Sequence, residues 1–176
     1  MKRSKKIVIT CHCVLNANAK VYPLAPAAGV CTDAVLDLIQ DGIGLFQLPC
    51  PEVCYLGLDR WGMTREQYDH PNFRSHCREI LKYSMVQIEA FIKAGYRIVS
   101  LIGVDGSPNC GLNYTCEGYT GGEICSPERV AEQIHRLRRI SGKGIFMTIF
   151  LEQLAALGEY PELRAVTEPM DSLSKT

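Results

Sequence analysis

The sequence predicts an α/β fold in which an open parallel sheet carries helices on both faces. Strand-like segments alternate along the chain with segments that have a helical spacing of apolar residues, an order typical of parallel sheets. The strand-like segments, such as Lys6–Thr10 and Arg97–Val104, are continuous apolar runs, as expected for strands that are buried on both faces. The 176 residues contain no repeat or linker, so we predict one domain over residues 1–176. Its core should span about residues 5–160, with a polar tail at residues 169–176.

Capping residues and glycines set the expected bounds of the helices. Thr32–Gln40 has apolar residues on one face and begins with a candidate N-cap threonine. Phe73–Ala94 has the longest helical period and is followed by a glycine. Ser126 and Pro127 are typical of the N-cap and first position of another helix. The remaining predicted elements are the strands Gly44–Leu48 and Lys143–Phe150 and the helix Leu151–Leu157. Together these elements predict a single-domain, Rossmann-like sheet.

Composition argues against several classes of partner. Lysine plus arginine and aspartate plus glutamate each number 19, so the net charge is zero and no strong field attracts nucleic acid or an acidic membrane. The basic cluster at His135–Arg139 is interpreted as a solvated helix face. The apolar run after the basic start, Ile7–Ile9, is too short for a secretion signal or a membrane span. We therefore expect a cytoplasmic protein.

The cysteine content points to chemistry rather than to disulfides. Nine cysteines are an odd number, and a reducing compartment disfavours a disulfide framework. Metal binding, catalysis and burial as small apolar side chains remain as the uses of these thiols.

Three of the predicted strands run into loops that contain cysteine. Cys11 and Cys13 follow the first strand, Cys50 and Cys54 the second, and Cys110 the third. Because the carboxyl ends of parallel strands meet at one edge of a sheet, these loops should converge there. The alternative is that they are ordinary loop thiols.

Three converging thiolates suit an iron–sulfur cluster better than structural zinc, which usually takes four ligands in paired spacings. A cubane on three cysteines leaves one iron open as a Lewis acid, which suggests catalysis. Glu52, two residues after Cys50, would be in reach of that iron and could move a proton. Ser107, three residues before Cys110, could polarise substrate or water, or instead form a local turn.

At these residues the chain resembles the TudS-type thiouracil desulfidases and their relatives, long catalogued as a domain of unknown function. The similarity rests on the order of three motifs over about residues 5 to 150, most of the chain. They are Cys13-Val14-Leu15, then Cys50-Pro51-Glu52, then Ser107-Pro108-Asn109-Cys110-Gly111.

The resemblance implies a [4Fe-4S] cluster on Cys13, Cys50 and Cys110, with one iron not ligated by cysteine. It also implies that Glu52 and Ser107 are catalytic and that the substrate is a small thiolated molecule such as a thionucleobase. The cluster would take the thiocarbonyl sulfur while Glu52 activates water, giving the oxo-base and hydrosulfide. Neither a membrane nor a nucleic acid partner is expected.

The chain departs from the family pattern in its loops. Cys11 competes with Cys13 as the first ligand, and Ala19 stands where the family often has a second cysteine. After Glu52 the family tends to continue with two glycines and a leucine, whereas this chain has Tyr55–Arg60. Three further cysteines, Cys54, Cys116 and Cys125, have no assigned role.

Two other functions compete with the desulfidase. One is another non-redox cluster enzyme, such as a lyase or a sulfur-transfer protein, and the other is a metal- or cluster-binding module without catalysis. A stacking pocket built from Tyr22, Tyr55 and Trp61 would favour a flat base as substrate, although all three could equally be packing residues. The segment Gly111–Gly122, with Tyr114 and Tyr119, has little regular pattern and is interpreted as a lid over the cluster, with a long surface loop as the alternative. The oligomeric state does not follow from the sequence.

Overall fold

The computed structural model describes residues 3–123 and 125–167, and the predicted polar tail at 169–176 lies outside them. The described part contains six strands: β1 (Lys6–Thr10), β2 (Gly44–Gln47), β3 (Arg97–Asp105), β4 (Tyr114–Glu117), β5 (Arg138–Ser141) and β6 (Glu162–Thr167). Its α-helices are α1 (His12–Leu15), α2 (Thr32–Gln40), α3 (Pro51–Leu56), α4 (Arg65–Tyr68), α5 (Pro71–Lys93), α6 (Pro127–Arg136) and α7 (Ile145–Ala156).

A four-stranded parallel sheet with the order β2-β1-β3-β6, flanked by helices, confirms the predicted fold class. The chain leaves β1 for β2 on one side and later returns to β3 on the other side. The strand order therefore reverses between β1 and β3, and open α/β sheets commonly bind ligands at the carboxyl edge beside such a point. This is the edge at which the cysteine loops begin.

The core forms between this sheet and its helices because the central strands are apolar on both faces. Val8, Ile9, Leu101 and Ile102 have at most 2% of their surface exposed. Phe73 of α5 and Phe146 and Phe150 of α7 are fully buried in the same cluster. No helix in residues 3–123 and 125–167 combines the length and apolarity needed to cross a membrane.

The predicted strand Lys143–Phe150 is wrong, because this segment forms the start of α7. Ile145, Phe146, Met147 and Ile149 are all buried, so the helix is apolar on every side, and a short apolar run of this kind cannot be told from a buried strand by its period. The predicted helix Leu151–Leu157 is the second half of α7.

The fourth strand of the sheet is instead β6, which sequence reasoning missed. It lies at the sheet edge with only Ala165 and Val166 partly buried, so it lacks the apolar run of a central strand. Its charged side chains, Glu162 and Arg164, pair with each other in solvent.

Two smaller predictions are also corrected. The segment Gly111–Gly122 is not irregular, since it contains β4, which pairs antiparallel with β5. The cluster His135–Arg139 is not one helix face, because α6 ends at Arg136 and the last two arginines belong to β5. Neither strand has an apolar run, so a two-stranded ribbon of this kind gives little signal in the sequence.

Candidate metal centre

Cys11, Cys13 and Cys110 form a buried three-thiol group at the carboxyl edge of the sheet. Their sulfur atoms all lie within 4.8 Å of one another, and the Sγ atoms of Cys11 and Cys13 are 3.6 Å apart. The three side chains are at most 8% exposed. Thiols in this arrangement are suitable ligands for a thiophilic metal ion or a cluster. The group contains two of the predicted ligands, Cys13 and Cys110, together with Cys11.

The backbone fixes all three cysteines to the two central strands. The amide of Cys11 donates to the carbonyl of Ile102 on β3 and so continues the pairing of β1, and Cys13 follows in α1. The carbonyl of Cys110 accepts from Val104, which folds the third loop back on its own strand. Gly103 allows this close approach, because a Cβ there would lie 2.5 Å from the carbonyl oxygen of Cys110.

The electrostatics of the three-thiol group concentrate negative charge on Cys13. Hydrogen bonds from Cys11 and Cys110 lower the pKa of Cys13 well below its usual value, and the charge of Lys20 lowers it further. The pKa of Cys110 is raised because it acts as the donor to both other thiols and is buried. A hydrogen bond from Cys110 lowers the pKa of Cys11. The hydrogen bond to Cys13, burial and the charge of Cys13 have the opposite effect, and together they raise the pKa of Cys11 above its usual value. Metal binding requires deprotonated thiols, and Cys13 is the thiol of the three whose surroundings most favour loss of its proton.

The remaining predicted ligand, Cys50, lies beside the three-thiol group but is not part of it. Its sulfur caps α3 by accepting from the amide of Val53 at 3.4 Å. Burial raises the pKa of Cys50 to about 11; the Val53 amide lowers it, and the charges of Glu52 and Cys13 raise it further. The role of Cys50 as a ligand stays a prediction.

Glu52 lies in the first turn of α3 with both carboxylate oxygens held. Arg60 donates from Nε to one oxygen at 3.0 Å, and Asn109 donates from Nδ2 to the other at 3.0 Å. The side chain of Glu52 is 15% exposed and that of Arg60 is 4% exposed, so this ion pair is well shielded from water. The carboxylate is thereby fixed beside the loop that carries Cys110.

Sequence reasoning missed Arg60 and Asn109 as site residues. Arg60 also donates to the carbonyls of Ala19 and Gly57, so its guanidinium joins the first cysteine loop to α3. Asn109 is fully buried, and its carbonyl accepts from the amide of Met147 near the start of α7. The only sequence signal for Asn109 was its place as the variable residue of the third motif.

The hydroxyl of Ser107 takes part in the local structure of the third cysteine loop. Its oxygen accepts from the amides of Asn109 at 3.3 Å and Cys110 at 3.0 Å, which is the local turn that the sequence allowed. A serine hydroxyl has two acceptor sites and one hydrogen, so these bonds leave the hydrogen to donate. Ser107 is therefore arranged as a hydrogen-bond donor rather than as a base.

The residues predicted to line a stacking pocket lie in different surroundings. Tyr55 packs edge-on against Phe73 and accepts from Asn72 through its hydroxyl. Tyr22 and Trp61 are 94% and 80% exposed. The structure thus places Tyr55 within an aromatic cluster of α5, and the stacking pocket stays a prediction.

The three unassigned cysteines differ in their surroundings. Cys54 and Cys125 are exposed. Cys116 is partly buried on β4, where burial raises its pKa to about 11 and the charge of Glu52 raises it as well.

Asp105, at the end of β3, stabilises the third cysteine loop through hydrogen bonds. Its Oδ1 accepts from the amides of Leu112, Asn113 and Tyr114, and its Oδ2 accepts from the side-chain amide of Asn113. Burial raises the pKa of Asp105, but these hydrogen bonds outweigh it and lower the pKa below its usual range. The bonds are strongest when the carboxylate is charged.

We expect Asp105→Asn to lower the free energy of unfolding by about 2–3 kcal/mol at neutral pH, because the amide cannot accept from the Asn113 side chain. The folded-state pKa is depressed, so the stabilisation is present above the unfolded pKa of about 4 and is lost as pH falls through the folded value. Urea titrations between pH 7 and pH 2 should show the wild-type advantage shrinking below about pH 4. Asp37→Asn, at an exposed position of α2, is the control. An equal loss of unfolding free energy in both variants would contradict the role of Asp105.

Comparison with curated proteins found one similar chain, the uncharacterized protein MJ0003 of Methanocaldococcus jannaschii. It is 36% identical over 110 residues, which cover 62% of this chain and 70% of the archaeal protein. The chain belongs to the same family as MJ0003. No protein-family model matches the chain. No solved structure matches it either.

Proposed function

We propose that this protein is an iron–sulfur-dependent desulfidase of the TudS type, which removes sulfur by hydrolysis from the thiocarbonyl of a small molecule such as thiouracil. The observation that carries the proposal is that the Glu52 carboxylate is held next to the three-thiol group. Asn109 holds the Glu52 carboxylate, and the next residue, Cys110, belongs to the thiols. A passive metal site has no need of a carboxylate fixed beside its ligands.

The donor set fits an iron–sulfur cluster. Fe–S clusters are held by cysteine thiolates, and this edge of the sheet offers the three-thiol group with Cys50 next to it, all of them buried. By resemblance, Cys13, Cys50 and Cys110 would hold the cluster. When bound, a [4Fe-4S] cluster with one iron not ligated by cysteine would supply a Lewis acid for the thiocarbonyl sulfur.

Glu52 would act as the base that takes a proton from the attacking water. Arg60 and Asn109 each occupy one lone pair of the carboxylate, and each oxygen retains another that can accept from water. Holding the carboxylate in one orientation lowers the entropic cost of aligning the water with the substrate carbon.

Ser107 would donate its free hydroxyl hydrogen to the substrate or to the activated water. A donor aimed at developing negative charge stabilises the transition state, and its loss commonly costs about 10²–10³ in rate. Ser107→Ala is therefore expected to lower the turnover of 2-thiouracil about 100-fold when the rate is expressed per bound iron, since the variant also removes the acceptor of the Cys110 amide.

The test is anaerobic incubation of the cluster-reconstituted protein with 2-thiouracil. Uracil and hydrosulfide should appear in equal amounts, as measured by chromatography and a sulfide assay. A protein that holds its cluster but releases neither product from 2-thiouracil or from other thiolated pyrimidines would contradict the desulfidase and favour a different cluster enzyme, such as a lyase or a sulfur-transfer protein.

One observation favours a second candidate, a metal-binding module without catalysis. Two sulfurs on a tetrahedral zinc ion, with Zn–S bonds of about 2.3 Å, lie about 3.8 Å apart. The separation of 3.6 Å between the Cys11 and Cys13 sulfurs is close to this value. Tight zinc binding without any activity that depends on Glu52 would support the second candidate.

A further inference from the structure

The helix α6 carries an apolar stripe that the rest of the described chain leaves largely uncovered. Its apolar residues recur at the spacing that places side chains on one side of a helix, and they are Pro127, Val130, Ala131 and Ile134. The structure describes all ten residues of α6, and none of them is buried. Ile134 is 52% exposed, and Leu137, which follows the helix, is 41% exposed. The stripe is therefore largely open to solvent in the single chain.

Polar contacts hold α6 to the loop that precedes it. The side chain of Gln133 accepts from the amide and the hydroxyl of Thr120, and Arg136 donates to the same hydroxyl. A helix of this length is marginal in water on its own, and most of the stability of such a helix comes from packing of its apolar face. The stripe also lines a shallow depression of about 500 Å³, which extends to Cys125 and Ser126. We therefore expect another surface to cover the stripe.

The charges beside the stripe are arranged so that a second copy of the chain complements them. By helical spacing, Glu128 and His135 lie along the same flank of the stripe, with the acid near the start of α6 and the base near its end. In an antiparallel pair of α6 helices, Glu128 of each copy would face His135 of the other copy. Of the other charged residues, Arg136 pairs with Glu132 within the helix, and Arg129 falls on the side of α6 away from the stripe.

An antiparallel contact also places the positive end of each helix dipole beside the negative end of the other. In a two-fold contact the same surface serves both copies, so the complementary charges do not have to come from a different protein. We propose that α6 is the surface through which two copies of this chain associate, as an antiparallel, two-fold pair of helices. The contact uses one ten-residue helix from each copy, so the association is expected to be weak and to depend on concentration. The inference does not rest on the proposed desulfidase or on a bound cluster.

Sedimentation equilibrium of the full chain measures this association, with a reductant present to prevent a disulfide through exposed Cys125. Between about 1 and 500 μM, we expect the average mass of wild type to rise from 19.6 kDa toward twice that value. Ile134→Asp should weaken the association at least about tenfold, because it places a charge in the apolar contact. Val86→Asp is the matched control, since Val86 is 66% exposed on a different helix, α5, and this variant should associate as wild type does.

Charge reversal tests the antiparallel arrangement without altering the apolar stripe. His135→Glu places two acids opposite each other and should weaken the association about fivefold, and Glu128→Lys should weaken it by a similar factor because the acid is lost. The double variant Glu128→Lys, His135→Glu should associate as wild type does, since opposite charges again face each other. Both changes oppose the dipole of α6 in the single and double variants alike, so recovery in the double variant reports the pairing between copies.

Three outcomes would overturn the proposal. A wild type that stays at 19.6 kDa over the whole concentration range would exclude a second copy as the cover of the stripe. An equal loss of association in Ile134→Asp and Val86→Asp would place the contact elsewhere. A double variant that associates no better than His135→Glu would contradict the antiparallel arrangement. None of these results would bear on the desulfidase proposal.

Discussion

Glu52→Gln is expected to reduce the turnover of 2-thiouracil by at least about 100-fold, because a positioned base typically contributes about 10²–10⁴ in rate. The amide cannot take a proton from water, yet it has nearly the same size as the carboxylate. The three-thiol group does not include Glu52, so the iron and sulfide content should be unchanged. Initial rates and iron assays on the same preparations give both quantities.

Glu89→Gln is the matched control for this variant. Glu89 lies on α5 in an exposed pair with Lys93, and its replacement should leave the rate within about twofold of wild type. A Glu52→Gln protein with normal turnover would show that water is activated by another group. A loss of iron in parallel with activity would mean that Glu52 supports the cluster instead.

Arg60→Met is expected to have the largest effect on stability, about 3 kcal/mol in the free energy of unfolding. Arg60 is 4% exposed, and its loss leaves the Glu52 carboxylate with Asn109 as its remaining partner among the bonds described for the pair. The carbonyls of Ala19 and Gly57 lose their donor as well. Urea unfolding of the metal-free protein measures the change.

The exposed pair of Arg138 and Glu117 supplies the control for Arg60→Met. Arg138 is 67% exposed in that pair, so Arg138→Met should cost less than about 1 kcal/mol. The double variant Arg60→Met, Glu52→Gln should be more stable than Arg60→Met alone, because the unpaired buried charge is removed. An equal loss of unfolding free energy in the two arginine variants would contradict the role of Arg60 as a buried ion-pair partner of Glu52.

The edge of the sheet was predictable because it depends on strand order rather than on side-chain detail. The strand runs Lys6–Thr10 and Arg97–Val104 were clear in the sequence, and parallel pairing placed Cys13 and Cys110 at one edge. The choice between Cys11 and Cys13 was not predictable. The turn from β1 into α1 brings both sulfurs to the same place, and the spacing of two cysteines does not show this.

Elements without a clear period were missed or assigned to the wrong type. The apolar run in α7 is buried on every side and therefore lacks the helical period that identified Thr32–Gln40. The edge strand β6 and the ribbon of β4 and β5 bury too little apolar surface to give a strand pattern. Their places in the fold are determined by tertiary contacts.

The hydrogen bonds that hold Glu52 and Arg60 in place join residues that are distant in sequence. Asn109 is 57 residues from Glu52, and Ala19 is 41 residues from Arg60. No local pattern selects these partners from the other asparagines and arginines of the chain. They follow from the way in which the three loops meet, which one sequence alone does not fix.

Iron and acid-labile sulfide analysis of anaerobically reconstituted protein tests the central claim most directly. We expect about four irons and four sulfides per chain, with absorbance at roughly 400 nm, in wild type and in the exposed-thiol control Cys125→Ala. Both Cys13→Ala and Cys110→Ala should lose the iron and the absorbance. A wild-type protein that stays colourless, or one whose iron content is unchanged by these two replacements, would contradict a cluster held by Cys13 and Cys110.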